Sequence, residues 1–143
     1  MAIDITSANS KLRIVIPQLF PAGFDVDDYA ADSMFETAAL QNKEDMMSAD
    51  GKYHAGYVFN PVEFTINLMA TSRAAALLDQ VYSAERTAIS AFTVNATLIL
   101  TSQDNTKYNM VNGVLYSWNP VPAGRRVLQP RAAVFHFESI TRS

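Results

Sequence analysis

The sequence predicts a mainly β domain with one helix, an α+β chain whose strands form an antiparallel sandwich or partly open barrel. Alternation of apolar and polar residues, the signature of a half-buried strand, recurs at Val62–Leu68, at 92–101 and again near the carboxyl end. Helical spacing of apolar residues occurs over one substantial stretch, 72–86. Between 62 and 112 there is neither glycine nor proline, so the rigid centre of the fold is expected there.

The elements follow in order. Leu12, Ile14 and Ile16 alternate as a short strand, and Pro17 ends it because proline has no amide to give a ladder. Pro21, Ala22 and Gly23 read as a turn. Phe35, Thr37 and Ala39 alternate with Met34, Glu36, Ala38 and Leu40, which suggests a second early strand. Residues 42–57, centred on Asp50-Gly51, read as an extended polar loop or hairpin tip. After Val62–Leu68 comes the helix, with Ala74, Leu77, Leu78, Val81 and Tyr82 on one face and Leu77, Leu78 and Val81 expected in the core. Thr71 or Ser72 serves as its N-cap, and Arg86 suits the negative end of its dipole.

Phe92, Val94, Ala96, Leu98 and Leu100 then alternate with polar neighbours, and 103–106 turns the chain. The return strand starts at Lys107 and sets Tyr108, Met110, Val114, Tyr116 and Trp118 near one face if a bulge at Asn112-Gly113 is absorbed. Asn119-Pro120, Pro122 and Gly124 interrupt the pattern with a loop. A last strand, 131–140, places Ala133, Phe135 and Phe137 opposite Val134, His136 and Glu138.

A length of 143 residues suits one domain, 1–143, and 49% apolar residues supply a core, which excludes intrinsic disorder. A net charge of −3 argues against a general nucleic-acid binder. Charge is uneven: 1–71 holds four basic and ten acidic residues, whereas 72–143 holds seven basic and four acidic. A solvated dipole and head-to-tail assembly both fit that asymmetry. The absence of cysteine excludes disulfides, thiolate metal sites and cysteine nucleophiles. Residues 1–10 have no secretory signal, and no apolar run approaches the roughly 20 residues of a membrane span, so synthesis in the cytoplasm without membrane binding is expected.

Chemistry-bearing motifs are lacking. His54 and His136 sit in no metal-ligand spacing. Asp25, Asp27, Asp28 and Asp32 lack the glycine and distal glutamate of a calcium loop. Glycines 23, 51, 56, 113 and 124 never cluster into a phosphate cradle, and there is no G-x-S-x-G elbow. No enzyme, cofactor, metal site or catalytic residue is expected. Arg125, Arg126 and Arg131 lie near Trp118, a combination that can stack on bases. On an acidic protein they read better as a solvated or protein-facing loop.

The segment Asp50-Gly51-Lys52-Tyr53-His54, the strand Val62–Leu68, and Thr71-Ser72-Arg73-Ala74-Ala75-Ala76-Leu77-Leu78 together resemble the tail tube proteins of long-tailed bacteriophages, contractile ones especially. In that family an Asp-Gly loop, an alternating strand and a Ser-led helix with paired leucines recur in this order. The resemblance spans about 34–140. Arg73 stands where the family often has Pro or Asn, and 119–130 has no counterpart, which keeps a tube-initiating or other baseplate ring protein as the alternative. A monomeric small β-barrel binding module is the remoter one.

The resemblance implies a structural virion protein whose copies form rings, hexameric in the family, that share an inner barrel and stack into a channel for the genome. Sheath and baseplate proteins would be its partners, and DNA would pass without specific binding. On this reading Met46, Met47, Asp50, Lys52, Tyr53, His54 and Tyr57 are candidates for contact between rings, in a loop that orders when a neighbour is present. Thr93, Asn95, Thr97 and Thr101 are candidates for the uncharged lumen face of the long hairpin.

Overall fold

The computed structural model describes residues 10–26, 35–37, 39–70, 72–100 and 106–142. Its elements are β1 (Ser10–Ile16), β2 (Phe20–Val26), β3 (Phe35–Thr37), β4 (Lys43–Met47), β5 (Tyr53–Tyr57), β6 (Val62–Leu68), α1 (Arg73–Ala88), β7 (Val94–Leu100), β8 (Thr106–Trp118), β9 (Arg131–Phe137) and β10 (Ser139–Arg142). The main sheet is antiparallel and runs β2-β1-β7-β8-β9-β6-β3, with β10 beside β8, while among the described residues β4 and β5 pair only with each other. The expected mainly β fold with one helix is the one the chain adopts. The sheet curls so that Phe64 of β6 and Leu98 of β7 line a common hollow of about 300 Å³, but among the described residues its end strands β2 and β3 do not pair and no barrel closes.

Alternation decides what is buried. Leu12, Ile14 and Ile16 of β1, Val62, Phe64, Ile66 and Leu68 of β6, and Ala133, Phe135 and Phe137 of β9 join one core with Ala74, Ala75, Leu78 and Val81 of α1. Burying a side chain such as Leu78 stabilises the fold by about 1.5 to 3 kcal/mol. Leu77, expected with it, is only half-buried. The Ser72 hydroxyl caps α1 by accepting from the Ala74 amide at 3.2 Å; Thr71, the other cap candidate, lies outside the described residues. The helix runs to Ala88 and ends with Ile89 in a left-handed conformation (φ 54°), its amide donating to the Glu85 carbonyl at 2.8 Å.

Three sequence expectations change. Pro21, Ala22 and Gly23 are not a turn but an irregularity inside β2, opposite Val15, and the turn is at 17–19. Proline is tolerated there because β2 is an edge strand with no further ladder to serve. The 131–140 strand breaks at Glu138, whose amide donates to the Val111 carbonyl at 3.2 Å, so that β10 runs beside β8. In β8 only Tyr108, Met110 and Trp118 of the expected five lie on the core side. A bulge with Asn112 at φ 56° puts Gly113 inward and Val114 beside the outward His136, and a second irregularity between Leu115 and Ser117 leaves Tyr116 exposed. Gly113 is required by close approach: a Cβ there would lie 2.4 Å from Phe137 Cδ1 and 2.5 Å from the His136 carbonyl oxygen.

Candidate assembly surfaces

Residues 42–57 take the hairpin form, β4 and β5. The Ser48 amide donates to the Lys52 carbonyl at 2.8 Å and the Gly51 amide to the Ser48 carbonyl at 2.9 Å, so Ala49, Asp50 and Gly51 form a three-residue connection. Its last position needs a positive φ, and Gly51 supplies 86°. The Ser48 hydroxyl donates to the Asp50 carboxylate and holds its pKa below the ordinary value, against slight desolvation and with help from the Lys52 and Asp50 amides. The Lys52 ammonium stands 3.9 Å from the same carboxylate.

Residues directly opposite across two strands share a face. One face of the hairpin therefore carries Lys43, Asp45, Met47, Tyr53 and Tyr57, and the other Glu44, Met46 and His54. On the first, the Tyr53 hydroxyl donates to Asp45 Oδ2 at 2.6 Å, which with some desolvation pushes its pKa up. The Lys43 ammonium sits 4.7 Å above the Tyr57 ring, and Tyr57 meets Phe59 edge to face at 5.0 Å. No residue of β4 or β5 is buried. Met46 is 70% exposed and Phe59 91%, so the hairpin and its stem hold large apolar side chains in solvent beside five charged residues. Phe59 escaped the sequence reading because it lies between strands, outside any alternating run.

The structure thus groups Met47, Tyr53 and Tyr57, sets Met46 and His54 on the reverse side, and keeps Asp50 and Lys52 at the tip. Of the lumen candidates, Asn95 and Thr97 lie on the side of β7 away from the core. The Asn95 side-chain oxygen accepts from the Asn112 amide at 2.9 Å, and the Thr97 hydroxyl lies 3.3 Å from the Asn109 side-chain oxygen. Thr93 precedes β7, and Thr101 lies outside the described residues. Arg13 of β1 stands opposite Thr97, and Lys11 and Lys107 flank Ile99, so cations border this polar face.

Trp118 is not a platform for bases. It is buried, with the Arg131 guanidinium 4.4 Å from its ring and its indole N–H donating to Asp79 Oδ1 at 2.9 Å. Arg131 also forks onto Asp79 of α1, with one N–H···O distance of 3.1 Å, and donates to the carbonyls of Asn119 and Pro120 at 3.0 and 2.9 Å. This pins the start of the 119–130 loop to α1 and leaves Arg125 and Arg126 exposed on the loop. His136 stacks on Tyr116 at 3.9 Å and lies 4.0 Å from a Glu63 carboxylate oxygen. Among the described residues no three His, Cys, Asp or Glu side chains gather as a metal would require.

A family model described as tail fiber protein gp32 matches residues 3–141. In structure the chain is similar to a chain of the anti-feeding prophage baseplate, with 12% identity, 100% of this chain and 97% of that chain covered, and a TM-score of 0.59. It is similar also to a chain of the anti-feeding prophage tube-terminating cap, with 9% identity, coverage of 100% and 93%, and a TM-score of 0.60. A chain of the PVC extracellular contractile injection system sheath-tube complex aligns with 9% identity, coverage of 98% and 91%, and a TM-score of 0.62. At these identities the likeness is one of fold. Among curated proteins none matches in sequence.

Proposed function

The chain belongs to the family of tail fiber protein gp32, and from that premise we propose that it is a structural subunit of a contractile phage tail, built into the virion as stacked rings. The exposed β4–β5 hairpin carries the reading. A two-stranded hairpin is marginal by itself in water, and here Met46, Met47, Tyr53 and Tyr57 remain in solvent. Those groups gain by meeting an adjacent ring, with Asp50, Lys52 and His54 orienting the contact. The open edges β2 and β3 give each copy strands to complete with its ring neighbours, six to a ring. Asn95 and Thr97 then face the channel, their side chains bonded to Asn112 and Asn109 and bordered by Lys11, Arg13 and Lys107.

A second reading, a baseplate ring made once per particle, draws on the likeness to the baseplate chain over 97% of its length. In either role the chain assembles with sheath or baseplate proteins and performs no catalysis. Light scattering and electron microscopy of the purified protein test the proposal: rings or tubes support it, and a monomer at all concentrations overturns it. Deleting 45–54 is expected to leave the domain folded and abolish stacking; unchanged polymerisation would remove the hairpin from this role.

A further inference from the structure

The loop 119–130 has no part in the core and no role in the reading above. We propose that it is the receiving surface for the β4–β5 hairpin of a second copy of this chain. The inference rests on the hairpin being an assembly contact and adds what it binds.

Position comes first. β6 and β9 pair over their full lengths, from Val62 opposite Phe137 to Leu68 opposite Arg131. The hairpin joins β6 at the Val62 end, whereas the loop joins β9 at the Arg131 end, where Trp118 pairs with Ala133. At about 3.3 Å per residue, a seven-residue strand separates these ends by roughly 20 Å. Hairpin and loop therefore stand at opposite ends of one strand pair, the arrangement of a heterologous, head-to-tail contact that repeats from copy to copy.

Chemistry agrees. On the hairpin Glu44, Asp45 and Asp50 outnumber Lys43 and Lys52. The other end presents Arg125 and Arg126, with no acid in 119–130, and Arg73 at the exposed start of α1. Both ends also expose apolar groups: Met46, Met47 and Tyr57 on the hairpin, and Val121, Val127 and Leu128 on the loop. Guanidinium groups bind tyrosine faces as well as carboxylates, so Arg125 and Arg126 suit an aromatic, acidic hairpin on two counts. The loop also holds a defined shape, through the bridge of Gly124 to Leu128, the Gln129 amide on the Ala123 carbonyl at 3.0 Å, and the anchoring of its start by Arg131.

The test is a charge exchange between the two surfaces, read by sedimentation of polymer. Arg125→Glu/Arg126→Glu and Glu44→Arg/Asp45→Arg are each expected to lose sedimentable polymer when alone, because like charges then face each other. An equal mixture is expected to regain it, since each variant supplies the surface the other lacks. Normal assembly of Arg125→Glu/Arg126→Glu, or a mixture that fails to recover, overturns the inference. If the 45–54 deletion blocks assembly while the arginine variant assembles normally, the hairpin keeps its role and its receptor lies elsewhere. A deletion that assembles normally, or a wild type that never assembles, removes both.

Discussion

β6 and the β4–β5 hairpin are neighbours in the chain and follow opposite rules. β6 buries Val62, Phe64, Ile66 and Leu68, whereas every residue of β4 and β5 is exposed. β6 is flanked by β9 and β3, and its inner face packs into the core with α1; among the described residues the hairpin pairs only with itself, through its backbone bonds, a well-matched turn and a few side-chain contacts. Backbone pairing and the turn set the strand geometry, and an apolar side chain on a strand stabilises the fold only when another layer covers it. On the proposed reading, an adjacent ring covers Met46, Met47, Tyr53 and Tyr57.

Two phenylalanines give the sharpest contrast. Phe64→Ala is expected to destabilise by about 3 to 5 kcal/mol, through lost burial and a cavity, while Phe59→Ala stays within about 0.5 kcal/mol. Equal effects in urea denaturation would break the division. Gly113→Ala comes next, at about 3 kcal/mol, because Phe137 is buried and the His136 carbonyl belongs to the sheet, so neither gives way readily. A neutral result there would mean that β8 can slip its bulge.

Arg131→Ala is expected to cost about 2 to 3 kcal/mol, since it removes the guanidinium from Asp79, which keeps only the Trp118 indole among these donors, and from the Asn119 and Pro120 carbonyls. The figure sits below that of a fully buried pair because the Asp79 side chain is 42% exposed and water can take over. Assembly should also weaken, because the 119–130 loop loses its anchor, and a polymerisation assay beside the melt separates the two effects.

The smallest change is at Glu85. Burial pushes its carboxyl above the ordinary value of 4.5, with the Phe92 amide pulling the other way. A carboxyl raised in the folded state costs stability above its folded pKa and nothing once pH falls below the ordinary value. Glu85→Gln should therefore stabilise slightly at pH 7, with the gain fading as pH drops toward 4. A gain that grows on acidification would reverse the assignment.

Much of this was legible in the residues because it is local. Alternation identified β1, β6, β7 and β9, helical spacing and Ser72 identified α1, and Asp50-Gly51 marked the tip of the hairpin. Each depends on neighbours a few positions apart. Tertiary structure alone decided the rest. Arg131 read as part of a basic cluster until α1 brought Asp79 to it across 52 positions of sequence. Tyr116 read as sharing a face with Met110 and Trp118 until the irregularity against β9 left it exposed. That hairpin and 119–130 loop stand at opposite ends of β6 and β9 depends on which strands pair, and pairing is set by contacts distant in sequence, which no local period encodes.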